Sequence, residues 1–339
     1  MNILITGGVG FIGTNTVLHF AKNKKNRIYI VDDFSRSGVE KNAIYLKKTY
    51  PQIKIIKSHI RNINQYKIYL KKADAIIHLA GQTAVTTSIQ KPDEDFDTNL
   101  LGSFALLEAI RNYNPRSIIL YSSTNKVYGD LNSHRFKKNK KLKIYEELCH
   151  SEGINESEKL DFISPYGCSK GATDLYFLDY ARIFGLKTVV FRQSCIYGEF
   201  QIGVEDQGWV AHFSNQFIRK KPLTIFGDGM QVRDLLYIQD LIKLYELTIN
   251  NISKTKGQAF NIGGGINNAY SLLQVIDLIK KITGTNIKTS FKSERLGDQK
   301  YFVSANKKVN KILGWKPTTD FKDGLRKLIN WQYNHVKRG

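Results

Sequence analysis

Short, dense apolar runs alternate along the chain with longer stretches of helical periodicity. The runs at Ile3–Thr6, Arg27–Val31, Lys54–Lys57, Ala75–Leu79, Ser117–Ser122 and Thr188–Arg192 predict strands. They are rich in Ile and Val and do not alternate apolar with polar positions, which is the pattern of strands buried on both faces. Helical periodicity fills the intervals, most clearly over Asn99–Asn112 and Tyr166–Phe184. Strands and helices taken in turn predict an α/β architecture, a doubly wound parallel sheet covered by helices on both sides. No internal repeat is visible, and the one biased segment, the lysine-rich stretch after Asp130, predicts a surface loop.

Composition narrows the picture. A chain of 339 residues, 42% of them apolar, can bury a sizeable core in one large domain or two interleaved ones. The net charge of +21 raises nucleic acid as a partner. Lysine far outnumbers arginine, however, and neither basic run, "KNKK" at 22–25 or "RFKKNKKLK" at 135–143, alternates basic residues with aromatics. The expectation is a solvated basic surface that welcomes a small anionic substrate and binds no nucleic acid. Met1 leads directly into "NILIT" and no apolar stretch reaches membrane-spanning length, so a cytoplasmic protein with no membrane partner is expected. Cys149, Cys168 and Cys195 show no paired spacing and no two histidines stand at metal-ligand spacing, so neither disulfides nor a metal is expected.

Two motifs carry chemistry. The first strand runs into "TGGVGFIG", where Gly7, Gly10 and Gly13 are spaced so that backbone can approach a pyrophosphate at a helix N-terminus. About 20 residues on, Asp32 ends the second strand, where a carboxylate accepts from ribose hydroxyls and repels a 2'-phosphate, favouring NAD over NADP. Arg36 is the one nearby residue that softens this preference. The second motif is "SPYGCSKGATDLY", which puts Tyr166 and Lys170 on one helical face. A tyrosinate base working near neutrality needs its pKa lowered by about 3 units, or about 4 kcal/mol. An ammonium at contact distance supplies about that much at an effective dielectric near ~20.

These residues, with "IIHLAG", "NLLGSFALLEA", "SSTNKVYG", "FGDGMQVRDLLYIQDLIKLY" and "RLGDQKYFVSANKKVNKILGWKP", resemble the extended short-chain dehydrogenase/reductases that act on nucleotide sugars, over nearly the whole chain. The resemblance implies a Rossmann domain over 1–193, with 236–263 returning to it, and a smaller C-terminal α/β domain for the nucleotide sugar over 194–235 and 264–339. It implies NAD held by Gly7, Gly10, Phe11, Ile12, Asp32, Ser35, Arg36, His59, Ile60, Leu79, Ala80, Gly81, Asn99, Ser122, Tyr166 and Lys170. It implies catalysis by Thr124, Tyr166 and Lys170, and substrate binding by Gln82, Thr86, Thr124, Asn125, Ser194, Gln207, Trp209, Arg233 and Arg295, the two arginines on the diphosphate. A homodimer or homotetramer built on the Asn99 and Tyr166 helices is implied as well. His59 departs from the pattern, standing where the family usually has an Asp that accepts from the adenine amino group.

Within that family the triplet Thr124-Asn125-Lys126 decides between chemistries. The 4,6-dehydratases place Asp and Glu directly after the catalytic hydroxyl residue as acid and base. An amide and an ammonium cannot perform that task, so oxidation and reduction at one carbon is expected instead. More closely, "AGQTAVTTS", "SSTNKVYGD", "LDFISPYGCSKGATDLYFLDYARIFGLKTVVFRQS" and "DQGWV" are similar to the family's 2-epimerases of CDP-linked 3,6-dideoxyhexoses. A 4-epimerase of a UDP hexose or uronate is the alternative, although Cys195 stands where many of those carry a substrate-binding Asn. An idle dinucleotide fold that binds RNA is the alternative of another class.

Overall fold

The computed structural model describes residues 1–131, 133–149 and 152–336. The chain divides into two compact units: Met1–Val127, Ser164–Arg192 and Ile242–Phe260 form the first, and Tyr128–Ile163, Gln193–Leu241 and Asn261–Gly339 the second. The segment 128–163, expected with the first domain, belongs to the second unit.

The first unit is built on strands β1 (Asn2–Thr6), β2 (Arg27–Asp32), β3 (Lys54–Lys57), β4 (Ala75–His78) and β5 (Ile118–Thr124), followed in the same sheet by Lys187–Gln193 and Gln258–Ile262. In chain order of its seven strands the sheet runs 7-6-5-4-1-2-3, and the pairs β1–β2, β1–β4, β2–β3 and β4–β5 are parallel. Ile3, Leu4, Ile5, Ala75, Ile76 and Ile77 are all fully buried, which is why these strands show no alternation. Thr6 is level with Val31 and His78, so the loops after β1, β2 and β4 leave the same edge of the sheet, where open α/β folds bind their ligands.

The predicted helix over Asn99–Asn112 begins differently. Phe96–Leu101 is a π-helical turn that runs into an α-helix at Gly102–Tyr113. Such insertions cluster at functional sites, and a 3.6-residue periodicity cannot reveal one. The Tyr166 helix spans Ser164–Phe184.

In the second unit the strand Val232–Tyr237 pairs in parallel with Cys195–Tyr197 and Tyr301–Phe302 and antiparallel with Ala269–Ser271. A parallel pair, Leu223–Phe226 with Thr289–Lys292, forms separately. The lysine-rich stretch is not a loop: Phe136–Asn139 and Ile144–Glu147 form an antiparallel hairpin. Phe136 and Ile144 pack against Val232, Tyr301 and Val303, and that small apolar anchor outweighs the surrounding lysines. Lys138 and Lys143 pair with Asp228 and Asp277, at 2.7 and 2.8 Å.

Candidate active site

The glycine turn follows β1. Gly7 has φ +68°, and a Cβ there would lie 2.7 Å from the Ala80 amide nitrogen, so only glycine fits between the β1 and β4 loops. A Cβ at Gly13 would lie 2.2 Å from the Gly7 carbonyl oxygen. At Gly10, the N-cap of helix α1 (Phe11–Phe20), a Cβ would meet only the Gly7 carbonyl, and no side chain caps the helix. The helix end therefore presents uncovered backbone and the positive end of its dipole to the sheet edge, a cradle that fits a dinucleotide phosphate.

Asp32 accepts from the Val9 and Phe34 amides at 3.1 and 3.0 Å, and burial pushes its carboxyl up from the ordinary range. Ser35 is turned onto Asp33 at 2.7 Å, and burial pulls the Arg36 guanidinium down. Leu79 and Ala80 donate backbone hydrogen bonds to Thr6, and the Asn99 amide donates to the Gln82 carbonyl at 3.0 Å. Buried Ile60 fills the space beside Gly102, while a Cβ at Gly81 would lie 2.6 Å from the Asn99 Oδ1. His59 Nδ1 takes the Arg61 amide at 3.4 Å and its Nε2 faces Asp97 at 3.8 Å, so the imidazole meets Arg61 and Asp97 as well as any ligand. Among the described residues nothing hydrogen-bonds the buried Oδ1 of Asn99 or the Oγ1 of Thr86, as expected of groups that meet a ligand.

Thr124, Tyr166 and Lys170 come together. Each is at most 8% exposed, and the Thr124 hydroxyl shares a hydrogen bond with the Tyr166 phenol. The Lys170 ammonium donates to the Ser122 carbonyl at 2.5 Å and stands over the Tyr121 ring, 4.3 Å from its centroid. Among the described residues no hydrogen bond joins Lys170 to Tyr166, contrary to the contact expected from their spacing. One helical turn separates the two side chains, and β5 captures the longer one.

Electrostatics follow the burial. Desolvation pushes the Tyr166 phenol up to about 12, with the Thr124 hydrogen bond pulling it down and Asp95 pushing it up. Desolvation pulls Lys170 down to about 7, against the attraction of Asp95 and Asp174. Without ligands the pair is therefore a neutral phenol beside an amine poised near neutrality.

Asn125 is buried beside Thr124, whose hydroxyl donates toward the Asn125 Oδ1 at 3.4 Å, and the Lys126 amide donates back to the Thr124 hydroxyl at 3.2 Å. The Gln82 side chain closes a tight ring with the backbone of Ala84.

The remaining candidates lie in the second unit. Ser194 donates to the buried Asp234 carboxylate. Trp209 Nε1 donates to the Cys195 Sγ at 3.5 Å, and Gln207 pairs through its backbone with Val204. Arg233 is buried and donates to Asp298 at 2.6 Å and to the Val232 carbonyl at 2.7 Å. Arg295 stacks 3.9 Å from the Phe226 ring centroid and pairs with Asp206 at 3.0 Å.

Sequence reasoning missed the support behind Tyr166 and Lys170. Asp174 takes two hydrogen bonds from Arg192 at 2.9 Å each and one from Ser123 at 2.8 Å. His78 lies between the Thr6 and Ser103 hydroxyls, and burial pulls it down to about 3, so it stays neutral. Asp95 accepts from Ser169 at 2.5 Å and from Asn99 at 2.9 Å. The i, i+4 spacing of Ser169 with Thr173, and of Lys170 with Asp174, was the only local hint.

Residues 3–263 match the model of the NAD dependent epimerase/dehydratase family. The chain is 43% identical to a CDP-paratose 2-epimerase of Salmonella typhi over 98% of this chain and 99% of that protein. Among solved structures it resembles the UDP-glucose 4-epimerase of Thermotoga maritima with UDP-glucose (TM-score 0.85, 29% identity, 99% of this chain and 100% of that one). It also resembles the UDP-glucuronic acid 4-epimerase of Bacillus cereus with UDP-glucuronic acid and NAD (TM-score 0.86, 26% identity, the same coverages).

Proposed function

The chain belongs to the NAD-dependent epimerase/dehydratase family, and we propose that within it the protein inverts carbon 2 of a CDP-linked 3,6-dideoxyhexose. It is an enzyme of nucleotide-sugar chemistry with NAD as its cofactor. When bound, NAD supplies a hydride acceptor that returns the hydride, so no external oxidant is consumed.

The residues of the chain manage the proton. Tyr166 takes the proton of the sugar hydroxyl and gives it back, and Thr124, already hydrogen-bonded to the phenol, orients that hydroxyl. Tyr166 must lose its own proton before it can take that of the sugar, and Lys170, which charges easily near neutral pH, favours the tyrosinate that then acts as the base. The observation that carries the reading is the composition of this corner: the two residues after Thr124 are an amide and an ammonium, and the nearby carboxylates are already engaged, Asp174 by Arg192 and Asp95 by Ser169 and Asn99. Among the described residues at this corner no free acid and base pair stands ready for a dehydration. The similarity to a CDP-paratose 2-epimerase supports carbon 2 and a CDP sugar. Arg233 and Arg295 would hold the diphosphate by exchanging Asp298 and Asp206 for phosphate oxygens.

The test is conversion of CDP-paratose in deuterium oxide, followed by proton NMR. Hydride return predicts a product inverted at carbon 2 with no deuterium on carbon, and stoichiometric deuterium at any sugar carbon refutes it. Inversion at carbon 4 of a UDP sugar would move the reading to the 4-epimerases that the fold also resembles.

We also propose that the enzyme is a homodimer or homotetramer. Phe104 and Tyr176 contact each other at 5.6 Å and, with Leu175, leave large apolar side chains exposed on the two helices, an area suited to a second copy of the chain. Light scattering on Leu175→Asp should report a smaller species than the parent.

A further inference from the structure

We propose that Asp95 is a positioning residue for the Tyr166–Lys170 pair: a single buried carboxylate that braces Ser169 and Asn99 and serves as the counter-charge of Lys170. The proposal rests on the reading of Tyr166 as the proton carrier.

Asp95 is 0% exposed and sits where the short helix Pro92–Asp95 meets the π-helical turn Phe96–Leu101. One oxygen accepts from the Ser169 hydroxyl, on the residue next to Lys170, and the other from the Asn99 amide. That same amide donates to the Gln82 carbonyl, so one carboxylate ties the loop after β4 to the helix of Tyr166. Among the described residues Asp95 has no ion-pair partner within 4 Å, and burial pushes its carboxyl up from the ordinary range, against the pull of Ser169, Lys170 and Asn99.

The groups facing Lys170 can be sorted. Asp174, on its own helix, is neutralised by Arg192. His78 from β4 is neutral, and Tyr121 from β5, a phenol pushed well above its ordinary range by burial, offers a ring face. Tyr166, which burial pushes up to about 12, is a neutral phenol in the protein alone and adds no charge there. Asp95 is thus the unpaired negative charge acting on Lys170, and the same charge opposes ionisation of Tyr166.

Removing the charge lowers the proton affinity of both Lys170 and Tyr166. Whichever limb of the rate profile each residue governs, both limbs then move to lower pH together. A brace without an electrostatic role would lower the rate and leave the limbs in place.

The experiment compares pH profiles of kcat/KM for the parent, Asp95→Asn, Asp95→Glu and Ser169→Ala holoenzymes. Asp95→Asn should shift the whole bell to lower pH, with a maximum roughly ten- to a hundredfold down. Asp95→Glu and Ser169→Ala, which keep the charge, should lose rate with the bell unmoved. Stationary limbs in a folded Asp95→Asn enzyme would overturn the proposal. Should Asp95→Asn not fold, the double variant Asp95→Asn/Lys170→Met should fold, because the ammonium left without its counter-charge is gone. A double variant no better folded than the single one refutes the counter-charge role. Tyr166→Phe is the separate control: if it retains turnover, the proton-carrier reading fails. If it is dead while the Asp95→Asn bell stays in place, only the present proposal fails.

Discussion

Lys170→Met should abolish turnover yet stabilise the NAD-free protein at acidic and neutral pH. Burial lowers the Lys170 ammonium from 10.5 to about 7. The folded-state pKa lies below the unfolded one, so the unfolded chain binds the proton more tightly. The destabilisation is full below pH 7 and fades as pH rises from 7 toward 10.5. Its full size is about 5 kcal/mol. Methionine also loses the bond to the Ser122 carbonyl and the contact with the Tyr121 ring, together about 2 kcal/mol, which leaves a net gain of about 3 kcal/mol. For 339 residues that corresponds to about 4 °C in unfolding midpoint. The assay is thermal unfolding of parent and variant, both stripped of NAD, from pH 6 to pH 9.5. The variant should melt higher at pH 6, and the gap should close or reverse by pH 9.5. A variant that melts lower at pH 6, or a gap independent of pH, would refute the assignment of the Lys170 shift to desolvation.

Three further outcomes are expected. Tyr166→Phe should reduce kcat by at least about a hundredfold while nucleotide binding measured by calorimetry stays near the parent value, since only the reacting oxygen is lost. Asp174→Ala should destabilise the protein by about 3–5 kcal/mol in urea unfolding, because it removes the buried carboxylate that takes two hydrogen bonds from the Arg192 guanidinium, 5% exposed. Gly13→Ala should yield protein that no longer copurifies with NAD, because the new methyl would press on the Gly7 carbonyl and displace the turn; absorbance and mass spectrometry of the denatured supernatant read the cofactor directly.

Much of the first unit was legible in the chain. Ile3–Thr6 and Ala75–Leu79 declared themselves as buried strands because a sheet covered on both faces favours apolar residues on both sides of each strand, with Thr6 and His78 the polar exceptions. Gly7, Gly10 and Gly13 mark a turn that side chains would obstruct, and Tyr166 with Lys170 keeps the spacing of one helical turn. All of these are local patterns, set by steric demands over a few residues.

What only the tertiary structure decided depends on residues far apart in sequence. The π-helical turn at Phe96–Leu101 and the bond between Asp95 and Ser169, 74 positions apart, have no local signature. Nor does the pairing of Arg233 with Asp298, 65 positions away. The hairpin at Phe136–Glu147 was masked by its lysines, because two apolar residues suffice once Val232 and Val303 are there to receive them. The sharpest divergence concerns Tyr166, where spacing predicted an ammonium at contact and a lowered phenol. In the structure β5 holds the ammonium and burial raises the phenol instead. A side chain's protonation state depends on how much water the whole fold removes from around it and on which charges the fold brings near, and neither is encoded in the residues beside it.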